Sequence, residues 1–462
     1  MDEEDINEEN EKKSFSSLYT RQALRSFADG VGGPYVPIYA VELGASSTEV
    51  GWLRSLGNLF GNIMQIPWGI VSDRYKRYVL FIIIGSLLNS LLWIPLVFVN
   101  TPWELIVILT AQAFTNSLII PSWSALLGEM APEKKRGSLS AKINIIASLG
   151  SMTATLISGY IMTYTKGNVS NVYTIPFLLA FASGSISSIV MLNLRGKTTE
   201  ERKGFSIRTW TDPKIFKGDF RRFCLLTIFH GFFMSISWPL FPLTIVRIVE
   251  GDMMKVAYRS IISGSISIII RRFIGRLSDR AGRKKLLVTG RAGIFLYPLI
   301  FSFATNIYHL YAAEIVVGIL AAGSEIAIFA YMLDITPNEN RGSFFALYNT
   351  LSGISTFFGS LLGGYLVPTF QAYGFNEMTA LQLTYLISIV GRLVGGLLFM
   401  TIKEPYKYDS TIRKELAKIV SEDAEKIRIS IETLEERGEE IEKDIKEDLE
   451  WFDSLIYRKN ED

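Results

Sequence analysis

The chain has 462 residues, 49% of them hydrophobic, 12% aromatic and 20% charged, with a net charge of +2. A balance so near neutral argues against a nucleic-acid partner, which selects a basic surface. One cysteine, Cys224, excludes an internal disulfide or a cysteine metal cluster, and two histidines, His230 and His309, exclude a histidine-rich metal site.

No metal, cofactor or catalytic constellation is expected, and the chain does not read as an enzyme. Residues 1–15 are acidic and polar and are expected to form an unstructured tail. They are not a signal peptide, which would be basic and then apolar. The apolar residues beyond them come in runs of the roughly 20 residues that a bilayer crossing needs. The first span covers about 18–43 and carries Arg21, Arg25 and Asp29, then a glycine- and proline-rich break over 30–37. The second covers about 50–72, with Arg54 inside. Four more follow near 78–99, 103–130, 138–164 and 173–194. A polar, basic stretch at 195–222 then divides the chain. Six further spans are expected near 223–248, 253–278, 286–304, 307–333, 343–369 and 378–402. From 405 to 462 the chain is charged and reads as a helix. Its seam through Val420, Ala424, Ile427, Ile431 and Leu434 steps by four and three, the heptad pattern of a coiled coil.

Lys and Arg gather in alternate loops. They stand at Arg74, Lys76 and Arg77, at Lys134, Lys135 and Arg136, throughout 195–222, and at Arg280, Arg283, Lys284 and Lys285. The opposite loops carry Lys166 and Lys255 as exceptions. Positive charge marks the cytoplasmic side, so both termini are expected in the cytoplasm of a multi-pass plasma-membrane protein.

The two halves repeat. Pro34-Tyr35-Val36-Pro37 returns 205 residues later as Pro239-Leu240-Phe241-Pro242. Gly69-Ile70-Val71-Ser72-Asp73-Arg74 returns 206 residues later as Gly275-Arg276-Leu277-Ser278-Asp279-Arg280. The stretch from Glu129 to Ser138, with Arg136-Gly137, matches that from Asp334 to Ser343, with Arg341-Gly342, and Ser158-Gly159-Tyr160 matches Gly363-Gly364-Tyr365. Four matches in register argue for a duplication in parallel orientation, which places a pseudo-twofold along the membrane normal and a cavity between the halves. The expected fold is therefore all-α. It has twelve transmembrane helices in two six-helix bundles, 16–194 and 223–404, joined by 195–222 and followed by a cytoplasmic amphipathic helix in 405–462.

Twelve spans, the duplication, the basic central loop and G-x-x-x-D-R-x-G-R-K together resemble the major facilitator superfamily over about 16–404. The second copy of the motif is complete at Gly275, Asp279, Arg280, Gly282, Arg283 and Lys284. The first, at Gly69, Asp73 and Arg74, has Lys76 where the second glycine would stand. The resemblance implies a secondary transporter whose halves rock about a central site lined by spans one, four, seven and ten. It implies that the motif loops, with Arg136-Gly137 and Arg341-Gly342, act as cytoplasmic latches; the plainer alternative is that they only set topology. Drug exporters of the superfamily often carry a glycine-rich fifth span ending in Gly-Pro. Residues 150–159 lack the proline and most of the glycines, which weighs against antiport.

An ionisable group at membrane depth costs roughly 2.5–3.5 kcal/mol, so each one is a functional candidate. Asp29 lies roughly 12 Å beyond Arg21 along the helix, and its repeat equivalent is Met234. It is a candidate proton site, the structural alternative being an i, i+4 pair with Arg25. Glu325 lies roughly 14 Å before Asp334 and its equivalent is Ile120. It is the second proton-coupling candidate, the alternative being a structural pair with Arg271, Arg272 or Arg291. Gln112, Asn116, Trp123 and Trp238 suit a mixed polar and aromatic pocket. His230 is either a titrating cavity residue or a packing histidine, and Arg392 sits deep enough to join the cavity set. Lys142, Arg271, Arg272 and Arg291 lie within about two turns of the cytoplasm and can mostly snorkel. Arg54 and Arg259 recur in both halves near the outer ends, which favours a structural role.

The residues thus point to alternating access for a small organic solute, with a proton as candidate coupling ion. Export of amphiphilic compounds leads, because the candidate pocket is more aromatic than hydrogen-bonding; symport of a sugar or organic acid is the alternative. A membrane sensor signalling through the tail is the rival from another class. The expected partners are the lipid bilayer, the small-molecule substrate, protons, and a second copy of the chain through the tail.

Overall fold

The structure is a computed structural model that describes residues 3–130, 136–165, 169–194, 216–250, 252–337 and 341–404, with Ser421 and Glu425. The heptad tail and most of the central basic stretch lie outside the described residues. Regular structure among the described residues is helical, as backbone in hydrocarbon requires when no water can pair its N–H and C=O groups.

The first half holds α1 (Glu3–Gly32), α2 (Val36–Glu42), α3 (Ser47–Ile63), α4 (Gln65–Tyr75), α5 (Tyr78–Leu91), α6 (Pro102–Met130), α7 (Arg136–Tyr164) and α8 (Val169–Val190). The second holds α9 (Gly218–Ile236), α10 (Leu240–Val249), α11 (Met253–Ala281), α12 (Arg283–Gly293), α13 (Leu296–Ser302), α14 (Ile307–Ile335), α15 (Arg341–Ala372) and α16 (Glu377–Leu398). α1 already begins at Glu3, where the sequence suggested an unstructured tail. An acidic opening turn complements the positive end of the helix dipole.

Ten segments are long and apolar enough to cross a membrane, from Tyr78–Phe98 through Glu377–Thr401, and they match ten of the twelve expected spans within a few residues. The first two expected spans are not among them. α1 carries Arg21, Arg25 and Asp29, and the second span is divided at Met64 into α3 and α4. The repeat reappears as geometry. α1 gives way to α2 at the Pro34–Pro37 segment and α9 to α10 at the Pro239–Pro242 segment, since proline removes a donor and clashes with the preceding turn.

α1 packs on α7 and α8, and α5 on α6 and α8; in the second half α9 packs on α15 and α16, and α12 on α14 and α16. Between the halves, α3 lies along α15 and α2 meets α10. The largest buried apolar cluster takes from the first half Tyr35, Tyr39, Trp93, Tyr173 and Phe177, and from the second Leu240, Ile245, Phe301 and Tyr385. It occupies the end of the bundle remote from Glu3 and Glu404. Smaller clusters, such as Leu18, Ile82, Leu126 and Met191, hold the other end.

Leu80, Ile84, Leu87, Leu88 and Leu91 are exposed at helical spacing along one face of α5. A water-soluble protein would not present such a stripe; facing lipid, it is the ordinary outer surface of a membrane helix.

Candidate functional site

Among the described residues, each of the two candidate carboxylates lines a cavity of its own. The first, about 350 Å³, is lined by Ser26, Asp29 and Pro34, by Ser148, Ser151 and Thr155 of α7, and by Ser260 and Gly264 of α11. The Asp29 side chain is 53% exposed, and Arg25 Nε donates to its Oδ2 at 3.1 Å. The guanidinium of Arg25 also donates to Asn89 Oδ1 at 2.9 Å and to Asn116 Oδ1 at 3.2 Å. Asn89 in turn donates to the Gln112 carbonyl and to Thr115 Oγ1. Arg25 thus ties α1 to α5 and α6 through two neutral amides, and Asp29 is its only charged partner among the described residues.

The second cavity, about 520 Å³, lies among α9, α12, α14, α15 and α16. Its wall brings together His230, Trp238, Glu325 and Arg392, with Arg291, Phe329, Phe345, Tyr348 and Asn349. Glu325 accepts from Arg271 Nη2 at 2.5 Å, both side chains being more than half exposed. Arg392 is 2% exposed. It donates to Ser388 Oγ, to the Ile294 and Met234 carbonyls and to Ser237 Oγ. His230 is fully buried between the two ends of Arg291: Nε2 lies 2.9 Å from the Arg291 carbonyl and Nδ1 3.2 Å from its Nη1. A guanidinium can only donate, so Nδ1 accepts and Nε2 carries the proton.

Three other pocket candidates sit elsewhere. Gln112 and Asn116 belong to the Arg25 cluster. Trp123 lies under the Arg21 guanidinium, 4.2 Å from its ring centre. None of the three lines either cavity. Arg291 departs from expectation more sharply. It does not snorkel but is buried at 9% exposure. Depth along a helix was legible in the sequence, but the face it turns inward was not, because α12 is too short and too mixed for periodicity to fix it.

Towards the termini, the second copy of the G-x-x-x-D-R-x-G-R-K motif is describable at its basic end. Arg283 pairs with Asp334 and donates to the Ala330 carbonyl, which joins the start of α12 to the end of α14. The backbone N–H groups of Arg283 and Lys284 donate to the Glu404 carboxylate, an acid at a helix N-terminus. Arg341 donates to the Leu333 carbonyl, and Gly342 stands in open space. In the first copy, Tyr78 donates to Asp73, Arg74 is exposed, and Gly69 is in ordinary contact with Pro121. Gly275, Asp279 and Arg280 lie on α11 and Arg136 and Gly137 open α7, but their surroundings are outside the described residues. Gly282 has φ +98°, and Lys76, standing in its place in the first copy, has φ +50°. The motif glycine therefore answers a left-handed turn.

At the far end the halves touch closely. Ser47 and Thr48 donate to the Gly364 carbonyl at 2.9 and 3.2 Å, Ser55 to that of Phe357 at 2.8 Å, and Trp52 to Tyr365 Oη at 3.2 Å. Nearby, Thr163 Oγ1 donates to Asp252 Oδ1 and accepts from the Met254 N–H. Arg259 pairs with Glu314 at 3.0 Å, and Tyr297 donates to the same carboxylate oxygen at 2.9 Å. This network is the place of Glu314.

Comparison with known proteins agrees with this architecture. The model of the Major Facilitator Superfamily matches residues 20–221 and 223–440. A multidrug resistance protein of Proteus mirabilis is 23% identical over 75% of this chain and 86% of its own. A class H tetracycline resistance protein of Pasteurella multocida is 28% identical over 31% of this chain, a match spanning only 36% of that protein's length. Among solved structures, the nucleoside transporter NupG superposes with a TM-score of 0.67 at 16% identity, covering 84% of this chain and 98% of its own. A D-xylose–proton symporter does so with a TM-score of 0.64 at 14% identity, covering 87% and 99%. With a family match over nearly the whole helical region, and solved transporters that share the helix arrangement just described, this chain belongs to the major facilitator superfamily.

Proposed function

We propose that the chain is a secondary active transporter that moves amphiphilic organic solutes by alternating access, outward across the plasma membrane. Twelve spans form two six-helix halves, and both termini face the cytoplasm. The observation that carries the reading is the 520 Å³ cavity, whose walls are chiefly apolar and aromatic, with Trp238, Phe329, Phe345 and Tyr348 around a few polar groups. Ligand pockets have this size and this composition. Relatives named for multidrug and tetracycline resistance support the same substrate class. With the halves in contact at the far end, access to the cavity is from the cytoplasm. The transport step separates the Ser47–Gly364 and Thr163–Asp252 contacts and closes the opposite end.

Asp29 is the proposed coupling group. It faces a cavity shared by α1, α7 and α11, so its exposure changes when the halves rock. Its proton would cancel the charge that Arg25 meets there, while Asn89 and Asn116 continue to hold Arg25. In reconstituted vesicles Asp29→Asn is expected to abolish pH-driven accumulation while leaving counterflow exchange intact; unchanged accumulation would remove Asp29 from the mechanism. Net proton-driven flux of a sugar or an organic acid, with none of an amphiphile, would instead establish symport.

A further inference from the structure

We infer that the second-half cavity takes a substrate bearing an acidic group, a carboxylate or similar organic anion on an aromatic or aliphatic body, with Arg291 as its anchor. The inference rests on the transport reading above and narrows its substrate class.

Two guanidiniums stand on the wall of this cavity, Arg291 and Arg392, both more than nine-tenths buried. A buried charge ordinarily has a counter-charge beside it. Arg392 directs its donors to two carbonyls and two hydroxyls. Arg291 is less complete. Its Nη1 meets a neutral ring nitrogen of His230, its Nη2 makes only a long 3.4 Å contact with Tyr348 Oη, and its Nε has no hydrogen-bond partner. The Phe399 ring lies 5.8 Å from the guanidinium carbon, but a ring face brings no anion.

The wall has one carboxylate, Glu325, and Arg271 occupies it from outside the lining set. Among the described residues the cavity therefore holds two cations, a neutral histidine and an already neutralised acid. An enclosed site with low-dielectric walls concentrates the field of such unbalanced charge and draws the opposite sign. A carboxylate matches the guanidinium fork. Trp238, Phe329 and Phe345 are placed to take the apolar body, and a neutral or cationic amphiphile would leave the charge unanswered.

The test is isothermal titration of the full-length protein in lipid nanodiscs with three probes of one skeleton: 1-naphthaleneacetate, 2-(1-naphthyl)ethanol and 2-(1-naphthyl)ethylamine. The wild type should bind the acid roughly tenfold or more tighter than the alcohol, as a charge-assisted hydrogen bond allows, and the amine most weakly. Arg291→Gln should bring the acid to the level of the alcohol without moving the alcohol, and Arg291→Lys should keep most of the preference. If Arg291→Gln is not recovered folded, the wild type and Arg291→Lys decide: both must rank acid above alcohol. Equal binding of acid and alcohol by the wild type overturns the inference and leaves the amphiphile transporter standing. An acid preference that survives Arg291→Gln overturns Arg291 as the anchor. Binding of nucleosides or sugars with no naphthyl compound bound overturns both readings.

Discussion

Arg392 shows how a membrane protein uses a charge where no charge is being answered. The Ile294 carbonyl would ordinarily pair with the N–H four residues on, but that residue is Pro298, which has none. The Met234 carbonyl loses its usual donor because the Trp238 N–H turns to Ser235 instead. The guanidinium of Arg392 reaches both. Arg392→Leu is expected to cost roughly 1–3 kcal/mol, because the two carbonyls then keep only their longer partners, the Tyr297 N–H at 3.3 Å and Ser237 Oγ at 3.4 Å; it is read as a fall in the unfolding temperature of the purified protein. Arg392→Lys should fall between, with fewer donors to share. An unchanged melt would show that these longer bonds satisfy the carbonyls on their own. That Arg392 is deep was legible in the sequence. Its role was not, because the two carbonyls lie 98 and 158 residues away along the chain. Lys76 is the reverse case: the missing glycine was evident at once, and the structure supplies its meaning as a left-handed residue, a conformation that costs a non-glycine about 1–2 kcal/mol.

At the scale of elements, the proline breaks and ten of the spans were readable, because both follow from local chemistry: a missing donor, or an unbroken apolar run. Helix-to-helix approach is harder to read from a sequence. α3 and α15 come so close that a Cβ on Gly364 would lie 2.7 Å from the Ser47 carbonyl oxygen and 3.1 Å from Gly51 Cα, both backbone atoms that cannot swing aside. Gly364→Leu should therefore wedge the far end apart and favour the form open at that end. Gly57→Leu on the same α3, where a Cβ meets nothing within 4 Å, should not. The check is thiol labelling of a cysteine placed at Thr48: it should rise severalfold in the first variant and stay level in the second. Equal labelling in both would mean that the helices absorb the side chain by sliding. The repeat had singled out Gly363-Gly364 as a match to Ser158-Gly159. What it could not show is that both Gly364 and Gly159 face the opposite half, Gly159 meeting Ala257 and Met253.

For the whole molecule, the far-end contacts should act as a gate. Thr163→Cys with Asp252→Cys, joined by a short thiol-to-thiol linker, is expected to stop counterflow exchange, and each single variant with the same linker should retain it. Continued exchange in the linked protein would mean that this end need not open. The native Cys224 is buried and should not compete for the reagent. The duplication made two halves legible, whereas which end is closed depends on the balance of contacts between them, a property of the ensemble rather than of any motif. That balance has a quantitative side. Among the described residues, α3 holds α15 through the hydroxyls of Ser47, Thr48 and Ser55 and the indole of Trp52. Each such bond is worth about 0.5–1.5 kcal/mol net, so together they amount to a few kcal/mol. Carrying a two-state population from one extreme to the other takes about 5.5 kcal/mol. A clasp of serine and threonine hydroxyls on helix carbonyls is thus weak enough for the differential affinity of one bound solute to tip, and strong enough to set the resting occupancy of the empty protein.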